Sequence, residues 1–442
     1  MPKQFHEIRD PIHVFVRMDS DEREVINSRP FQRLRYIHQL ALTYLVYPGA
    51  THRRFEHSLG VMELADRVFA VVTRAENVTD AVRDMLPELA SGDKLSYWRR
   101  VLRMAALCHD VGHLPFSHAA EKELLPEGCT HETLSAALIG SAAMKKLWRR
   151  MKVDPSDIIK LALGRKDAPR SMRFSPWEVI PSEIVVGDAF GVDRMDYLLR
   201  DSHHAGVAYG RFDHYRLIDT LRIMPSAPPD NEDGSAEPSL GIEEGGLHSA
   251  EALLLARYFM YTQLYFHPVR RIYDIHLKDF LQQWLPGGMF ATDLETHLNT
   301  TDNEVTAAIM NAARDRHSQG HDPARRIACR EHFRLVYERH PHDVQVNPNA
   351  ALAVFQALQD QFGAGRFRHD RHTQKSRATE FPLKLRDGRI TSAAAFSQTL
   401  GNLPTLAVDH VFADPAVFEK AAKWLATNRS SIIRFQQEVD HG

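Results

Sequence analysis

The sequence predicts a mainly α-helical protein with a β-hairpin insertion and a mixed α+β C-terminal region, on three observations. Apolar residues recur at helical spacing through most of residues 20–280, as in 61–69, 101–108, 193–200 and 250–265. No alternation of strand-like and helix-like segments runs along the chain, and there is no internal repeat, which argues against a doubly wound sheet. Two short stretches alternate as strands do: 221–224 with 240–242, and 382–390, which carries an Asp387-Gly388 turn.

The composition bounds the rest. The chain has 442 residues, of which 43% are hydrophobic and 25% charged, enough to bury a large core in two or three units. Gly and Pro, 23 each, are too few for a collagen-like or low-complexity chain. No apolar run approaches the roughly 20 residues of a membrane helix. The first residues lack the apolar stretch of a signal peptide. With only three cysteines, Cys108, Cys129 and Cys329, no disulfide framework is implied, and a cytoplasmic protein is expected. Lys plus Arg number 55 against 57 acids, so no global basic field argues for nucleic acid.

The elements follow in order. The helical stretches 61–69 and 101–108 are apolar enough to be core, and 193–200 follows the same spacing. Residues 226–246 carry six acids, no Lys or Arg, and many Pro, Gly and Ser, which reads as the solvated tip of a hairpin insertion. From about 320 the chain turns rich in Arg and His, with Arg366, Arg368, Arg371, Lys375 and Arg377 close together. Such a run is usually a solvated face or a subunit interface, and no nucleic-acid partner is expected. A boundary is placed near residue 340, giving a core of 1–340 and a C-terminal α+β region of 341–442.

Of the 25 histidines, a few cluster with acids. His109 and Asp110 end the buried 101–108 segment, where an unpaired imidazole and carboxylate are costly and a cation removes that cost. His113 lies four residues on, above His109 if the helix continues so far, with Gly112 and Pro115 closing it. His57, at the start of an amphipathic helix, and Asp193 are the candidates to complete an N/O site suited to Mn, Fe, Zn, Ni or Mg. Each has an ordinary alternative: His57 caps its helix, and Asp193 and Asp196 pair with Arg194 and Arg200.

The order His57, His109-Asp110, Asp193 resembles the HD-domain metal-dependent phosphohydrolases. The match extends to Asp10-Pro11-Ile12-His13, Phe31-Gln32-Arg33-Leu34-Arg35-Tyr36, Tyr47-Pro48-Gly49-Ala50, Arg54-Phe55-Glu56-His57-Ser58-Leu59-Gly60 and the run His109 to His118. These are similar to the deoxynucleoside triphosphate triphosphohydrolase branch, over roughly residues 6–280, as a bacterial type without a SAM domain. The resemblance implies an HD-domain helical core, with its motifs at about 50–205 and the hairpin insertion at about 221–246. It also implies hydrolysis of a dNTP to deoxynucleoside and tripolyphosphate, with His57, His109, Asp110 and Asp193 holding a divalent metal.

By the same resemblance, His113, His118 and His131 surround the α-phosphate, with His118 the general acid. Arg54 and Arg194 neutralise the phosphates, Tyr197 and Asp201 lie near the sugar, and Gln39 with Leu40 reads the 3′-hydroxyl. His267 matches a substrate-side histidine. Gln263 and Arg271 stand where vertebrate members carry Arg and Tyr, leaving Arg270 or Arg271 to supply charge. Asn27, Gln32 and Arg35 match a nucleotide-activator pocket, although Asn27 replaces an acidic residue. A homo-oligomer, dimer or tetramer, with activator sites at subunit interfaces is implied. The alternatives are another HD phosphohydrolase (a nucleotidase, a phosphodiesterase or a single-strand 3′-exonuclease) or a non-catalytic dNTP-sensing regulator.

Overall fold

A computed structural model describes residues 5–117, 121–226, 236–374 and 380–434. The chain is mainly α-helical, with small sheets and a mixed α+β C-terminal region, and divides into two compact units. The first comprises residues 1–260, 291–303 and 376–403; the second comprises 261–290, 304–375 and 404–442. Among the described residues, no helix is long and apolar enough to cross a membrane.

The first unit opens with an antiparallel hairpin, β1 (Phe5–Asp10) and β2 (Val14–Asp19). Asp10 shapes its turn, because Oδ1 accepts from the backbone N–H groups of Ile12 and His13 at 2.9 and 2.8 Å. The helix Arg54–Val72 then forms the centre of the unit. Glu56 starts it by accepting the Arg53 N–H at 2.8 Å, and most of its side chains are buried. It packs on the helices Gly92–Cys108, Pro176–Val186 and Val192–Ala205. In Gly92–Cys108 every residue from Val101 onward is buried, and Arg103 is tolerated there because Glu22 accepts from it at 2.6 and 2.9 Å.

The expected insertion is present as β3 (Leu221–Ser226) and β4 (Glu237–Glu243), paired antiparallel. The acidic tip, 227–235, lies outside the described residues. Leu240 points its N–H away from β3, toward Glu183 of the Pro176–Val186 helix, whose Oε2 accepts it at 2.8 Å. Burial pushes this carboxyl up to about 7.

The second unit carries the other sheet, in the order β5 (Arg334–Glu338), β9 (Leu406–Ala413), β6 (Phe367–Gln374), all antiparallel. The helices Ala350–Phe362 and Phe418–Arg434 pack on it through Val354, Leu358, Val411, Ala421 and Leu425. Inside this unit Arg271 makes a bidentate pair with Asp370 at 2.7 and 2.6 Å.

The compact units do not follow the single cut near residue 340 read from composition. The 382–390 hairpin, expected within the C-terminal region, forms β7 (Pro382–Lys384) and β8 (Ile390–Ser392), with Gly388 at φ +87° in its turn. β7 pairs in parallel with β4, through Ile242 and Leu383, so it belongs to the sheet of the first unit in the order β3-β4-β7-β8. Long-range pairing of this kind leaves no mark on local composition. The three cysteines are free thiols.

Candidate metal centre

Helix ends and one turn bring the site together. Gly92–Cys108 stops at Cys108, and His109 is its C-cap. The chain then turns through residues 110–113, where the His113 N–H donates to the Asp110 carbonyl at 3.1 Å. The helical continuation that would stack His113 over His109 is therefore absent. The reason is Gly112, which passes so close to the helix His131–Ile139 that a Cβ there would lie 2.2 Å from the Ser135 nitrogen and 2.4 Å from the His131 carbonyl oxygen. Ser135 Oγ locks the turn, accepting from Gly112 N–H and donating to the His109 carbonyl, both at 2.9 Å.

His57, His109, Asp110 and Asp193 converge. His57 Nε2 lies 3.0 Å from Asp193 Oδ1 and 3.7 Å from Asp110 Oδ2. His109 Nε2 lies 3.3 Å from Asp110 Oδ1 and 3.5 Å from Asp193 Oδ1. The two rings stand edge to face, with centroids 5.4 Å apart. The other nitrogen of each ring is engaged. His109 Nδ1–H donates to the Ala106 carbonyl at 2.8 Å, and His57 Nδ1–H donates to Asp196 Oδ2 at 2.8 Å. Both Nε2 atoms therefore face the carboxylates, and His109 Nε2 is buried with no hydrogen-bond partner.

That combination fits a divalent cation. Two imidazole nitrogens and two carboxylates form a mixed hard and borderline donor set, and the outer nitrogens are fixed as metal-ligating histidines require. A proton competes with a cation for the same atoms. Burial opposes protonation of His57, yet the carboxylates of Asp193 and Asp196 raise it to about 10. Burial likewise opposes ionisation of Asp110, but the Arg54 guanidinium and the imidazoles of His109 and His113 hold it well below the ordinary carboxylate range.

A second group of side chains borders the first. Arg54 NH1 bonds Asp110 Oδ2, and its Nε donates to Ser117 Oγ at 2.8 Å, so this arginine orients a ligand of the centre. Phe116 and Ser117 have φ of +56° and +58°, strained for L-residues. Asp302 Oδ1 accepts the Phe116 N–H at 2.7 Å. His113 stacks on His131 with centroids 3.9 Å apart. Burial and the nearby Arg54 push the His113 imidazole well down. Burial also opposes charge on His131, but Glu121, accepting from Nδ1 at 2.7 Å, lifts it. His118 lies outside the described residues.

The remaining predicted residues are dispersed. Arg194 bonds the carbonyl of Asp188 and, at 2.6 Å, its carboxylate. Asp201 takes a 2.7 Å bond from His52, both groups buried. Tyr197 is half-buried one turn after Asp193. Gln39 donates its N–H to the His52 carbonyl at 3.1 Å, its Oε1 is buried without a partner, and Leu40 is buried. Gln32 Nε2 donates to the Ile26 carbonyl at 2.8 Å beside Asn27, and its Oε1 accepts from Arg35 Nε at 2.9 Å. In the second unit, His267 caps the helix Pro268–Trp284 by accepting the Val269 N–H at 3.3 Å. There Arg271, expected to supply charge to a substrate, is instead taken up by Asp370. Sequence reading missed the roles of Asp196 and Glu121. Asp196, three residues after Asp193 on one helix, could have been found from that spacing; Glu121 carried no signal.

Comparison with known proteins agrees with this geometry. A model described as HD domain matches residues 54–198, and one described as HD associated region matches 212–352. An uncharacterized protein of Methanocaldococcus jannaschii is 38% identical over 274 residues, which cover 61% of this chain and 48% of that protein. The deoxynucleoside triphosphate triphosphohydrolase SAMHD1 of Homo sapiens is 29% identical over 369 residues, 76% of this chain and 55% of that one. The chain thus spans about half the length of the curated relatives it matches. A crystal structure of a hypothetical protein from Aquifex aeolicus matches with a TM-score of 0.77 at 30% identity, over 95% of this chain and 100% of that one.

Proposed function

Because the chain belongs to the HD-domain family and carries the HD-associated region, we propose that it is a metal-dependent dNTP triphosphohydrolase. It would cleave the bond between the α-phosphorus and the 5′-oxygen with water, giving a deoxynucleoside and inorganic tripolyphosphate. The observation that carries the reading is the buried, partnerless His109 Nε2 facing the carboxylates of Asp110 and Asp193 beside His57. The likeness to SAMHD1 supports the substrate class.

His57, His109, Asp110 and Asp193 would hold the cation, which when bound lowers the pKa of a coordinated water toward neutrality and polarises a phosphoryl oxygen. Arg54 keeps Asp110 ionised and aimed. His131, whose protonated form Glu121 favours, suits contact with a phosphate oxygen, while His113, pushed toward its neutral form, supports it by stacking. His118 is assigned, from the sequence resemblance, to protonate the departing 5′-oxygen. Gln39, with a buried and partnerless Oε1, suits recognition of the 3′-hydroxyl. The reading extends to a homo-oligomer, dimer or tetramer, with Asn27, Gln32 and Arg35 at a nucleotide-activator pocket.

Product analysis tests it. Protein loaded with Mn²⁺ or Mg²⁺ is incubated with each dNTP, singly and mixed, with and without GTP. Deoxynucleoside and tripolyphosphate are expected in equal amounts, falling more than about 10²-fold in Asp110→Ala. Turnover of none of the dNTPs would reject the substrate assignment, and pyrophosphate or orthophosphate as product would point to another phosphohydrolase chemistry.

A further inference from the structure

The β1–β2 turn supplies none of the four ligands, yet it ends on the carboxylate that sets His57. His13 Nε2–H donates to Asp196 Oδ1 at 2.7 Å, and the neighbouring Asp196 Oδ2 receives His57 Nδ1–H. Arg200 closes the arrangement, with Nε and NH2 on Asp196 at 2.8 and 3.0 Å and NH1 on Asp10 Oδ2 at 2.8 Å. The other oxygen of Asp10 is the one that shapes the turn and so places His13. All five residues are buried, from Asp10 at 4% exposed to His57, Asp196 and Arg200 at 0%.

The network has no spare room and little spare hydrogen-bonding capacity. A Cβ on Gly60 would lie 1.9 Å from Asp196 Oδ1 and 2.5 Å from Arg200 NH2, so only glycine lets the helix Arg54–Val72 approach this closely. Because an ionised carboxylate only accepts, His13 donates through Nε2–H, and its Nδ1 is buried without a partner. Nothing else on His13 competes for its orientation. Losing its N–H would free Asp196 Oδ1 to swing, and the acceptor that holds the His57 proton on Nδ1 would swing with it. The His57 ring would then be free to turn, and Nε2 would no longer be aimed at Asp110 and Asp193.

We propose that the β1–β2 turn is a positioning device for the metal centre: His13, placed by Asp10, locks Asp196 and through it the aim of His57. This rests on the reading of the four-residue cluster as a divalent-cation site. Groups one step behind a metal ligand typically set about 10–100-fold in affinity. Linkage makes the effect reciprocal, so the hold that the turn exerts on the centre returns, when the cation binds, as resistance of the turn to opening. The hairpin is held by its buried residues Asp10, His13, Val16 and Met18, while Phe5, Val14 and Phe15 lie exposed, so Phe5 can be truncated without touching the network.

Mn²⁺ titrations by calorimetry on the full chain decide it, using wild type, His13→Ala, His13→Gln and the hairpin control Phe5→Ala. Affinity should fall about tenfold or more in His13→Ala. It should recover to within about threefold of wild type in His13→Gln, whose amide N–H reaches as far as Nε2, and stay unchanged in Phe5→Ala. Amide exchange of wild type should slow at Ile12 and His13 when Mn²⁺ is added. Undiminished affinity in His13→Ala, or unchanged exchange in wild type, would overturn the proposal. If His13→Ala fails to fold, His13→Gln and the wild-type exchange still decide. Wild type that binds no Mn²⁺ would instead remove the underlying metal reading, and this inference with it.

Discussion

Two ways of burying charge can be compared, one from each unit. In the second, Asp370 gives both carboxylate oxygens to Arg271, and Asp343 Oδ2 is taken by the Tyr337 hydroxyl and Arg429. These are closed pairs whose hydrogen-bonding capacity is spent on each other. In the first unit, the groups behind the ligands are equally spent, as at Asp196, but they converge on nitrogens and carboxylate oxygens left facing one another. Burial of charge therefore does not by itself mark a site. The mark is a buried group whose outer side is fully bonded and whose inner side is not.

His109→Ala is the sharpest test of that contrast. It should abolish measurable metal binding and reduce turnover more than about 10²-fold, while the melting temperature of the metal-free protein falls only by the loss of the ring's packing and of one neutral hydrogen bond, Nδ1–H to the Ala106 carbonyl, because Nε2 has no partner to lose. A large drop in metal-free stability would place His109 with the closed pairs. Arg271→Ala should do the reverse. Removing one partner of a buried pair costs about 3–5 kcal/mol, read by denaturant unfolding, with Mn²⁺ affinity unchanged. Weakened metal binding without lost stability would break the comparison.

The smallest effect depends on pH. Glu183 is buried with neutral donors rather than a cation, and its carboxyl sits at about 7, above the unfolded value near 4.3. The native state then holds the proton more tightly than the unfolded chain, so stability falls as pH rises from about 4.3 through 7 and is level above. Glu183→Gln should remove that decline, gaining up to about 3 kcal/mol over wild type above pH 7 and nothing below pH 4. Asp370 has the opposite sign. Burial raises it, but Arg271 outweighs burial and lowers it, so its contribution is present above about pH 4 and is lost on acidification. Parallel stability curves for wild type and Glu183→Gln across this range would refute the assignment.

How much of this could be read from the sequence depends on how local each cause is. The apolar spacing of 101–108 and the adjacent His109-Asp110 are local, and both the helix and the convergence of His57, His109, Asp110 and Asp193 follow the reading. The end of that helix is not local. It stops at Cys108 because Gly112 must slide past Ser135, a neighbour supplied by a distant helix. The motif around Arg194 implies a phosphate contact but carries no sign of Asp188, the carboxylate just before the helix that this arginine meets in the fold. The Asp10–His13 segment by itself gives His13 no role, since its partner Asp196 is 183 residues away.

The parallel pairing of β4 with β7 sets a schedule for synthesis. Ile242 and Leu383 are about 140 residues apart, and at ~5–20 residues per second a ribosome needs about ten seconds or more to supply the second strand. Until then the growing chain presents β4 with one side unpaired, the state most open to capture by another strand. Glu183 has already emerged by that time, and its carboxylate accepts the Leu240 N–H on that side. An acidic side chain thus occupies one donor of β4 in the finished fold too, beside the Ile242 and Glu243 positions that the late strand comes to pair.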